Sequence, residues 1–269
     1  MKIITFLNSK GGCGKTTACA HVAAGMAMRG YRVLVADADP QGHATLMLGS
    51  TKAPHFYDLF VRDAPFADML LEVNPALYAA DLADVTGSLY LLPGNKETRN
   101  VPDMLDDVFS MGRKLAQLES EFDIVIIDTS PTASVLNATI QLTTDAIIYP
   151  THCEYLSLDG LAESLGDRRR LQDDRTQRGL GGIHVLGILP TMYQAKTHTH
   201  KHNLGALRER FGAAIWKPLP RRVLWSEAAG DGRLMFAFSP NSAAALEAWN
   251  MVNEMQERFE AWALQTAGV

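Results

Sequence analysis

A glycine-rich loop between an apolar run and a helical stretch constrains this chain more than any other feature. Residues 3–7 are apolar and rich in strand formers, and residues 11–14 read Gly-Gly-Cys-Gly. Residues 15–29 carry apolar side chains at a spacing of four, and Gly30 after them is suited to end a helix. The pattern therefore predicts a strand, a tight loop and a helix that begins near Lys15.

Further short apolar runs follow, with helix-compatible segments between most of them. They cover residues 33–36, 89–92, 124–127, 146–149 and 185–189. Short buried strands that alternate with helices are typical of a parallel sheet with right-handed crossovers. We therefore predict a single-domain α/β fold, with a mostly parallel, twisted sheet and helices on both faces. Ligands bind such sheets at the carboxyl ends of the strands. Residues 51–87 show no clear period, and we leave their structure open.

Length and composition limit the class of protein. The 269 residues can bury a large core without disulfides or metals, and we expect residues 1–269 to form one domain. The net charge of −5 means that any DNA contact must come from a local patch. The 3 cysteines form no CxxC pair, which argues against a zinc site and agrees with a reducing cytoplasm. The sequence contains no run as long as a membrane span and no signal-peptide pattern.

The loop has the residue types that phosphate binding requires. It completes a G-x-x-x-x-G-K-T pattern if the first glycine is relaxed. Glycines let the backbone wrap an anion closely, so that successive N–H groups and the helix N-terminus face it. Lys15 is placed to bridge the β- and γ-phosphates, and the Thr16 hydroxyl is placed to ligate Mg²⁺. The predicted nucleotide contacts of the loop are Gly11, Gly12, Cys13, Gly14, Lys15, Thr16 and Thr17.

Acidic side chains end two of the predicted strands. Asp37 and Asp39 leave the second strand, and as alternate positions they can face the same side. Asp128 follows the apolar run of residues 124–127, and a carboxylate there suits a hydrated Mg²⁺. A plain Asp-Pro turn is the alternative interpretation of Asp39. The predicted metal-site residues are Thr16, Asp37, Asp39 and Asp128.

One departure from the common phosphate loop is informative, because a second lysine, Lys10, precedes the glycine pair. KGGCGKTT resembles the deviant Walker A signature of the ParA/MinD family of P-loop NTPases. Other segments resemble the chromosomal ParA/Soj branch, in the expected order over most of the chain. They are LLPGNKE from Leu91, THCEYLSLDGL from Thr151, GILPTMY from Gly187 and PRRVLWSEA from Pro220. The resemblance implies an ATPase that forms a homodimer around ATP, with Lys10 reaching the nucleotide of the other subunit.

The resemblance also implies roles for single residues. Asp39 is expected to position or activate the attacking water, and Asp37 to support the metal shell. His43 stands where relatives usually have asparagine, and Pro220 with Arg221 matches a Pro-Arg pair near the adenine ring of relatives. The implied catalytic set is Lys10, Lys15 and Asp39. The implied cofactors are ATP or ADP and Mg²⁺, and hydrolysis is expected to stay slow until a ParB-like or other partner protein activates it.

For this branch, the resemblance implies DNA binding without sequence preference, through basic residues on the dimer. The predicted contacts are Lys217, Arg221, Arg222 and Arg233. Leu224 stands where the family has an arginine, and Arg222 is a charge that can substitute for it. The arginine run of residues 168–170 is a second possible patch, although charge runs are usually solvated faces. We expect a cytoplasmic, nucleoid-associated ATPase that partitions or positions a plasmid, a chromosome region or another cargo.

Several alternatives were weighed against this expectation. A MinD-like membrane ATPase needs a basic amphipathic C-terminal helix, whereas the apolar stripe within residues 251–262 is surrounded by glutamates. We therefore predict core packing for the stripe and no membrane contact. An iron–sulfur reductase on this scaffold needs a cysteine pair after the acid-ended run of residues 122–128, which has the Walker B form, and Cys153 stands alone there. The histidines of residues 198–202 favour a loop or helix start over a metal site. We expect no N-terminal helix-turn-helix extension, and a protein cargo on the nucleoid stays possible.

Overall fold

The computed structural model describes residues 1–105, 107–131, 134–177 and 179–267. Within these ranges the chain forms one seven-stranded sheet. Its strands are β1 (Lys2–Phe6), β2 (Arg32–Asp37), β3 (Leu71–Glu72), β4 (Ser88–Leu92), β5 (Ile124–Asp128), β6 (Ala146–His152) and β7 (His184–Thr191). Their order across the sheet is β3-β4-β2-β5-β1-β6-β7. Only the pairing of β3 with β4 is antiparallel among these described strands, so the predicted mostly parallel sheet is confirmed.

Helices pack on both faces of this sheet, as predicted. They are α1 (Lys15–Met28), α2 (His43–Met47), α3 (His55–Val61), α4 (Phe66–Met69), α5 (Val101–Met104), α6 (Ser110–Ala116), α7 (Val135–Thr143), α8 (Tyr155–Gln177), α9 (His198–Phe211), α10 (Leu224–Asp231), α11 (Met235–Phe238) and α12 (Ala243–Ala267). Short 3-10 turns lie at Pro75–Leu77, Leu82–Asp84, Lys96–Asn100 and Gly212–Ala214. The stretch 51–87, which shows no clear hydrophobic period, therefore contains two short helices, the edge strand β3 and two of these turns.

Alternate residues of the central strand β5 enter different apolar clusters. Ile124 and Ile126 pack with side chains of α1 and α12 on one face of the sheet. Val125 and Ile127 pack on the other face with side chains of α3, α6 and α7. A third cluster joins β6 and β7 to α8 and α9. A parallel strand buried on both faces needs an unbroken apolar run, which is why the strands were visible in the sequence.

The C-terminal helix α12 is part of the main core. Its apolar stripe is at most 8% exposed and consists of Met251, Met255, Phe259 and Trp262. The helix lies so close to α1 that a Cβ atom at Gly25 would stand 2.2 Å from a methyl carbon of Val252. The predicted core packing of this stripe is confirmed. In the part of the chain that the structure describes, every helix is too short or too polar to cross a membrane.

The strand register assembles the functional edge of the sheet. In the parallel pairing of β2 with β5, Asp37 lies directly beside Asp128. On its other side β5 pairs with β1, whose last residue, Phe6, is the partner of Asp128. The loop after β1 and both carboxylates therefore meet at the carboxyl ends of three adjacent strands, where ligands of such sheets bind.

Candidate active site

The glycine-rich loop leads from the carboxyl end of β1 into the first turn of α1. Gly12 and Gly14 have φ angles of 72° and 79°, a left-handed conformation that glycine adopts at little cost. Gly14 is the N-cap residue of α1, and no side chain in the described ranges caps this helix. The first N–H groups of a helix have no partner within it, and the helix dipole makes this end positive. The start of α1 is therefore suited to an anion.

Three polar residues at or just past the ends of strands hold the loop in this shape. The buried Asn8 accepts a hydrogen bond from the backbone N–H of Lys10 at 2.9 Å. The His152 Nε2 atom lies 3.0 Å from one loop carbonyl oxygen, and the Thr191 hydroxyl donates to another at 2.8 Å. Sequence analysis missed all three. Their signal was a polar residue at or just past the carboxyl end of a buried strand.

Lys15 lies inside the cleft below the loop and is 6% exposed. Its ammonium donates hydrogen bonds to the backbone carbonyl oxygens of Asn8 and Lys10, each at 3.1 Å. Within the described residues Lys15 forms no ion pair with a carboxylate. A buried cation needs a counter-charge, because desolvation is costly unless the charge is compensated. Lys15 is therefore available to a bound phosphate.

Thr16 joins the loop to the end of β5. Its hydroxyl donates a 2.7 Å hydrogen bond to Oδ2 of Asp128, whereas Oδ1 of Asp128 is buried and has no hydrogen-bond partner among the described residues. Burial raises the pKa of Asp128 well above its ordinary value, and the neighbouring Asp37 adds to the rise. Burial also raises the pKa of Asp37 to about 6, although Asp37 accepts hydrogen bonds from the Thr45 backbone and hydroxyl. Two buried carboxylates thus stand side by side.

This arrangement fits a small divalent cation. A cation would compensate the mutual repulsion of Asp37 and Asp128, and it would give the unpaired Oδ1 atom a partner. The oxygen atoms of Thr16 and Asp128 are of the type that Mg²⁺ prefers, often through its own water molecules. The residues present therefore fit Mg²⁺ bound together with a phosphate group.

Asp39 is both a turn residue and a cleft residue. Its Oδ1 accepts a 2.8 Å hydrogen bond from the backbone N–H of Gln41, which closes the Asp-Pro turn. Asp39 is 6% exposed. It lines the cleft between the glycine-rich loop and the Asp-Pro turn, and it also lines an adjoining cavity of about 480 Å³. The turn geometry therefore aims the carboxylate into the site, so the two interpretations of this residue are compatible.

The cleft between the loop and the turn has a volume of about 460 Å³. It collects residues from four separate parts of the chain. They are Gly12, Cys13, Gly14, Lys15, Thr16, Thr17, Asp39, Gln41, His43, Met47, Thr129, Pro131 and Met192. Sequence analysis had not assigned Met47 or Met192 to the site. Met192 has a φ angle of 51°, unusual for a residue other than glycine, and it follows β7 directly.

Lys10, the second lysine of the loop, lies outside this cleft. Its side chain is 29% exposed, and its ammonium is 4.0 Å from Oε2 of Glu154 at the start of α8. Both groups remain partly in water, so this contact is weak. Lys10 and Lys15 thus point to different surroundings although they are five residues apart.

The Pro220–Arg221 segment lies at the edge of the site. Tyr193 accepts a 3.1 Å hydrogen bond from the Arg221 backbone N–H and forms a bridge with Pro220. Tyr193 follows Met192 of the cleft wall, which brings the segment beside the cleft. Among the described residues that line the cleft, however, neither Pro220 nor Arg221 is included.

The predicted basic patch is on the surface around α10, but two of its four cations are paired within the chain. Arg222 donates hydrogen bonds at 2.6 and 2.8 Å to the two carboxylate oxygens of Glu247 on α12. Arg233 forms an ion pair with Asp231. Arg221 and Lys217 are exposed, and within the described residues neither side chain forms an ion pair. The patch therefore presents less free positive charge than the sequence suggested.

Leu224, which departs from the family pattern, and the adjacent Trp225 pack in the core. Leu224 packs against the main apolar cluster, and Trp225 is 9% exposed within it. The Trp225 ring meets the His21 ring of α1 edge-on, with centroids 5.0 Å apart. His21 in turn accepts a 3.0 Å hydrogen bond from the Met235 backbone N–H. The start of α10 is thereby fixed to the helix that carries the phosphate loop.

Comparison with known proteins agrees with this geometry. The family model described as AAA domain, AAA_31, matches residues 1–178. The chain is similar to the sporulation initiation inhibitor protein Soj of Bacillus subtilis, with 32% identity over 248 residues that cover 91% of this chain and 94% of Soj. It is also similar to the chromosome-partitioning ATPase Soj of Thermus thermophilus, with 29% identity and coverage of 96% of both chains.

Solved structures share the fold. Cobyrinic acid a,c-diamide synthase from Mycobacterium smegmatis with bound ADP and magnesium is 27% identical, with a TM-score of 0.68, and the alignment covers 93% of this chain and 95% of the synthase. Apo McdA from Cyanothece has a TM-score of 0.78 at 19% identity, with coverage of 96% of this chain and 99% of McdA. The second likeness concerns the fold alone.

Proposed function

Since this chain belongs to the ParA/Soj family of P-loop ATPases, we propose that it works as a nucleotide-driven positioning switch. In this proposal ATP joins two copies of the chain, the joined copies hold DNA without sequence preference, and hydrolysis separates them. Repeated cycles on the nucleoid partition or space a cargo, such as a plasmid, a chromosome region or a protein assembly. A ParB-like or other partner protein accelerates the hydrolysis.

The protein is an ATPase with ATP or ADP and Mg²⁺ as cofactors. When bound, they supply the phosphoryl group and neutralise the charge that develops on it. We assign the loop backbone and Lys15 to the phosphates, and Thr16 with Asp128 to the metal. Asp37 supports this metal site from the neighbouring strand. Asp39, at the wall shared by both cavities, orients the attacking water.

The observation that carries the proposal is the placement of the two loop lysines. Lys15 is buried in its own cleft, whereas Lys10 lies outside that cleft with a partly exposed ammonium. This position outside the cleft of its own subunit supports a role for Lys10 at the nucleotide of a second copy. Because the nucleotide then contacts both copies, its binding and hydrolysis decide whether the copies stay together.

The DNA-binding part of the proposal rests on a small surface. Arg221 and Lys217 supply exposed cations, and Arg222 adds a third if its pairing with Glu247 opens. Contacts of this kind go to phosphates, so they are insensitive to sequence and weaken as salt increases. We therefore expect DNA affinity to come from the pairing of two such surfaces in the dimer.

The test is retention on non-specific DNA with ADP and with ATP across a salt series, alongside light scattering for molecular mass. We expect ATP alone to double the mass and to give DNA retention with a steep salt dependence. Lys10→Ala should keep nucleotide binding but lose the doubling of mass, while Lys96→Ala, at another exposed lysine, serves as the control.

Two outcomes would contradict parts of the proposal. A chain that stays monomeric with ATP would reject the switch. An ATP dimer without DNA affinity would keep the switch but reject DNA as the supporting surface, and flotation with liposomes would then test for a membrane.

A further inference from the structure

Helices α8 and α9 leave an apolar groove between them, above the third apolar cluster. The groove has a volume of about 170 Å³ and shares no residue with the wall of the nucleotide cleft. Its lining consists of Leu158, Leu161, Ala162, Leu165, Gly166, Arg169, Ala206, Leu207, Arg210 and Phe211. Leu158, Leu165 and Phe211 are only partly buried, so the cluster is incompletely covered on this side.

The charged residues that line the groove are both positive. Its two charged lining residues, Arg169 on α8 and Arg210 on α9, are both exposed. In the described part of the chain neither forms an ion pair with a carboxylate, and the guanidinium of Arg210 lies over the Phe211 ring at 5.3 Å. The neighbouring Arg170, by contrast, pairs with Asp167 at 3.3 Å. Helices α8 and α9 thus each place an arginine without a carboxylate partner, among the described residues, beside the apolar groove.

We propose that this groove docks an amphipathic segment of another protein, in which a large apolar side chain is flanked by carboxylates. The groove is well below the roughly 300 Å³ at which small-molecule sites begin, and its size suits one anchoring side chain. Guanidinium groups recognise carboxylates through paired hydrogen bonds, which gives the charges on the rim their role. DNA is the poorer match, because phosphate contacts require no apolar floor.

Gly166 provides a way to close the groove without disturbing the fold. A Cβ atom built there meets no other atom within 4 Å, and the residue lies within α8, where replacing glycine strengthens a helix. Gly166→Leu should therefore fill the groove in a stable protein. Gly166→Ala is the matched control, because it changes helix propensity but leaves the groove open.

The experiment selects displayed peptides of about 16 residues, enough for four helical turns, on the full-length protein and removes those that also bind Gly166→Leu. We expect the surviving peptides to pair leucine or aromatic residues with aspartate or glutamate. Fluorescence anisotropy then gives their dissociation constants. Arg169→Glu combined with Arg210→Glu should weaken binding at least ~10-fold. Arg208→Glu, an exposed change on α9 outside the lining, should have an effect below about twofold.

The inference is overturned if no peptide survives the selection, if the survivors are basic, or if Gly166→Leu and Gly166→Ala bind them equally. It is also overturned if the two arginine changes lower DNA retention while peptide binding is unaffected. Because the groove is separate from the nucleotide cleft, all variants should keep ATP hydrolysis. Loss of peptide binding with intact hydrolysis therefore bears on this groove and leaves the proposed switch untouched.

Discussion

The nucleotide cleft and the basic surface around α10 differ in whether their charged groups have partners within the chain. In the cleft, Lys15 has no carboxylate partner and Oδ1 of Asp128 has no hydrogen bond among the described residues. On the basic surface, Arg222 and Arg233 are each matched by an acidic residue of the same chain. Uncompensated buried charge is costly, so the cleft is completed by ligands, whereas half of the four cations of the surface are already paired within the chain.

This difference shows which charged groups indicate a binding site. A buried charge without a partner points to something that binds there, because the fold would otherwise lose stability by keeping it. An exposed cation costs little whether it is paired or not. Motifs in a buried cleft are therefore stronger evidence of function than a basic run on the surface.

The largest effect is expected for Lys15→Ala, which removes the buried cation of the cleft. ATP hydrolysis should fall on the order of 10³-fold, because this cation stabilises the charge of the transferred phosphoryl group. Steady-state phosphate release with saturating Mg²⁺ measures the effect. Lys96→Ala, at an exposed lysine, should retain wild-type rates, and a similar loss there would remove the distinction between buried and exposed charge.

Asp128→Asn tests the unpaired carboxylate. The amide can still accept the hydrogen bond from Thr16, but it loses the negative charge that attracts a cation. Affinity for nucleotide in the presence of Mg²⁺ should fall by ~10- to 100-fold. Affinity measured with EDTA should change much less. Calorimetric titration with and without Mg²⁺ gives both numbers, and an equal loss in both would argue against a metal role for Asp128.

His21 on α1 contacts Trp225 on α10 and so connects the nucleotide cleft to the basic surface. Its titration should make the stability of this contact depend on pH. Burial lowers the pKa of His21 from 6.5 to about 4, so the unfolded chain takes up a proton at a higher pH than the folded one. Stability is then complete above pH 6.5 and declines as pH falls towards 4. At pH 5 the expected loss in unfolding free energy is about 2 kcal/mol. Urea unfolding between pH 7 and 4.5 measures how steeply the unfolding free energy changes with pH. This dependence should be shallower in His21→Gln.

The smallest effect is expected for Glu247→Gln, which releases Arg222 on the basic surface. Non-specific DNA affinity of the ATP form should rise by about threefold, and the salt slope should steepen by about one, because one more cation is free. Glu257→Gln makes the same change in net charge at an exposed position of α12 and should have less effect. If both variants behave alike, net charge rather than Arg222 governs DNA binding.

Much of the fold was accessible from the sequence, for physical reasons. The central strands are buried on both faces and therefore uniformly apolar, and Gly30, with a φ angle of 94°, marks the end of α1 where the pattern placed it. The secondary structure of residues 51–87 could not be predicted, because their short helices and the two-residue strand β3 are too brief to show a hydrophobic period.

The cleft was only partly predictable. Lys15, Thr16, Asp37, Asp39 and Asp128 meet as expected, because the carboxyl ends of adjacent parallel strands lie at one edge. The only sequence signal of the residues that support the loop, such as Asn8, His152 and Thr191, was a single polar residue at or just past a strand end. The loop partners of His152 and Thr191 are 140 and 178 residues away in sequence, so the roles of these two residues depend on which strands are neighbours.

The α/β class, the phosphate loop and the acids that face it could be predicted from the sequence, because these features need fixed residue types at short spacing. Tertiary structure alone decided which charges are free. The pairing of Arg222 with Glu247, the packing of Leu224 and Trp225 in the core, and the placement of Arg169 and Arg210 at one groove all involve separate helices or segments. Such contacts follow from the path of the whole chain, since packing brings distant residues together without leaving a local signal.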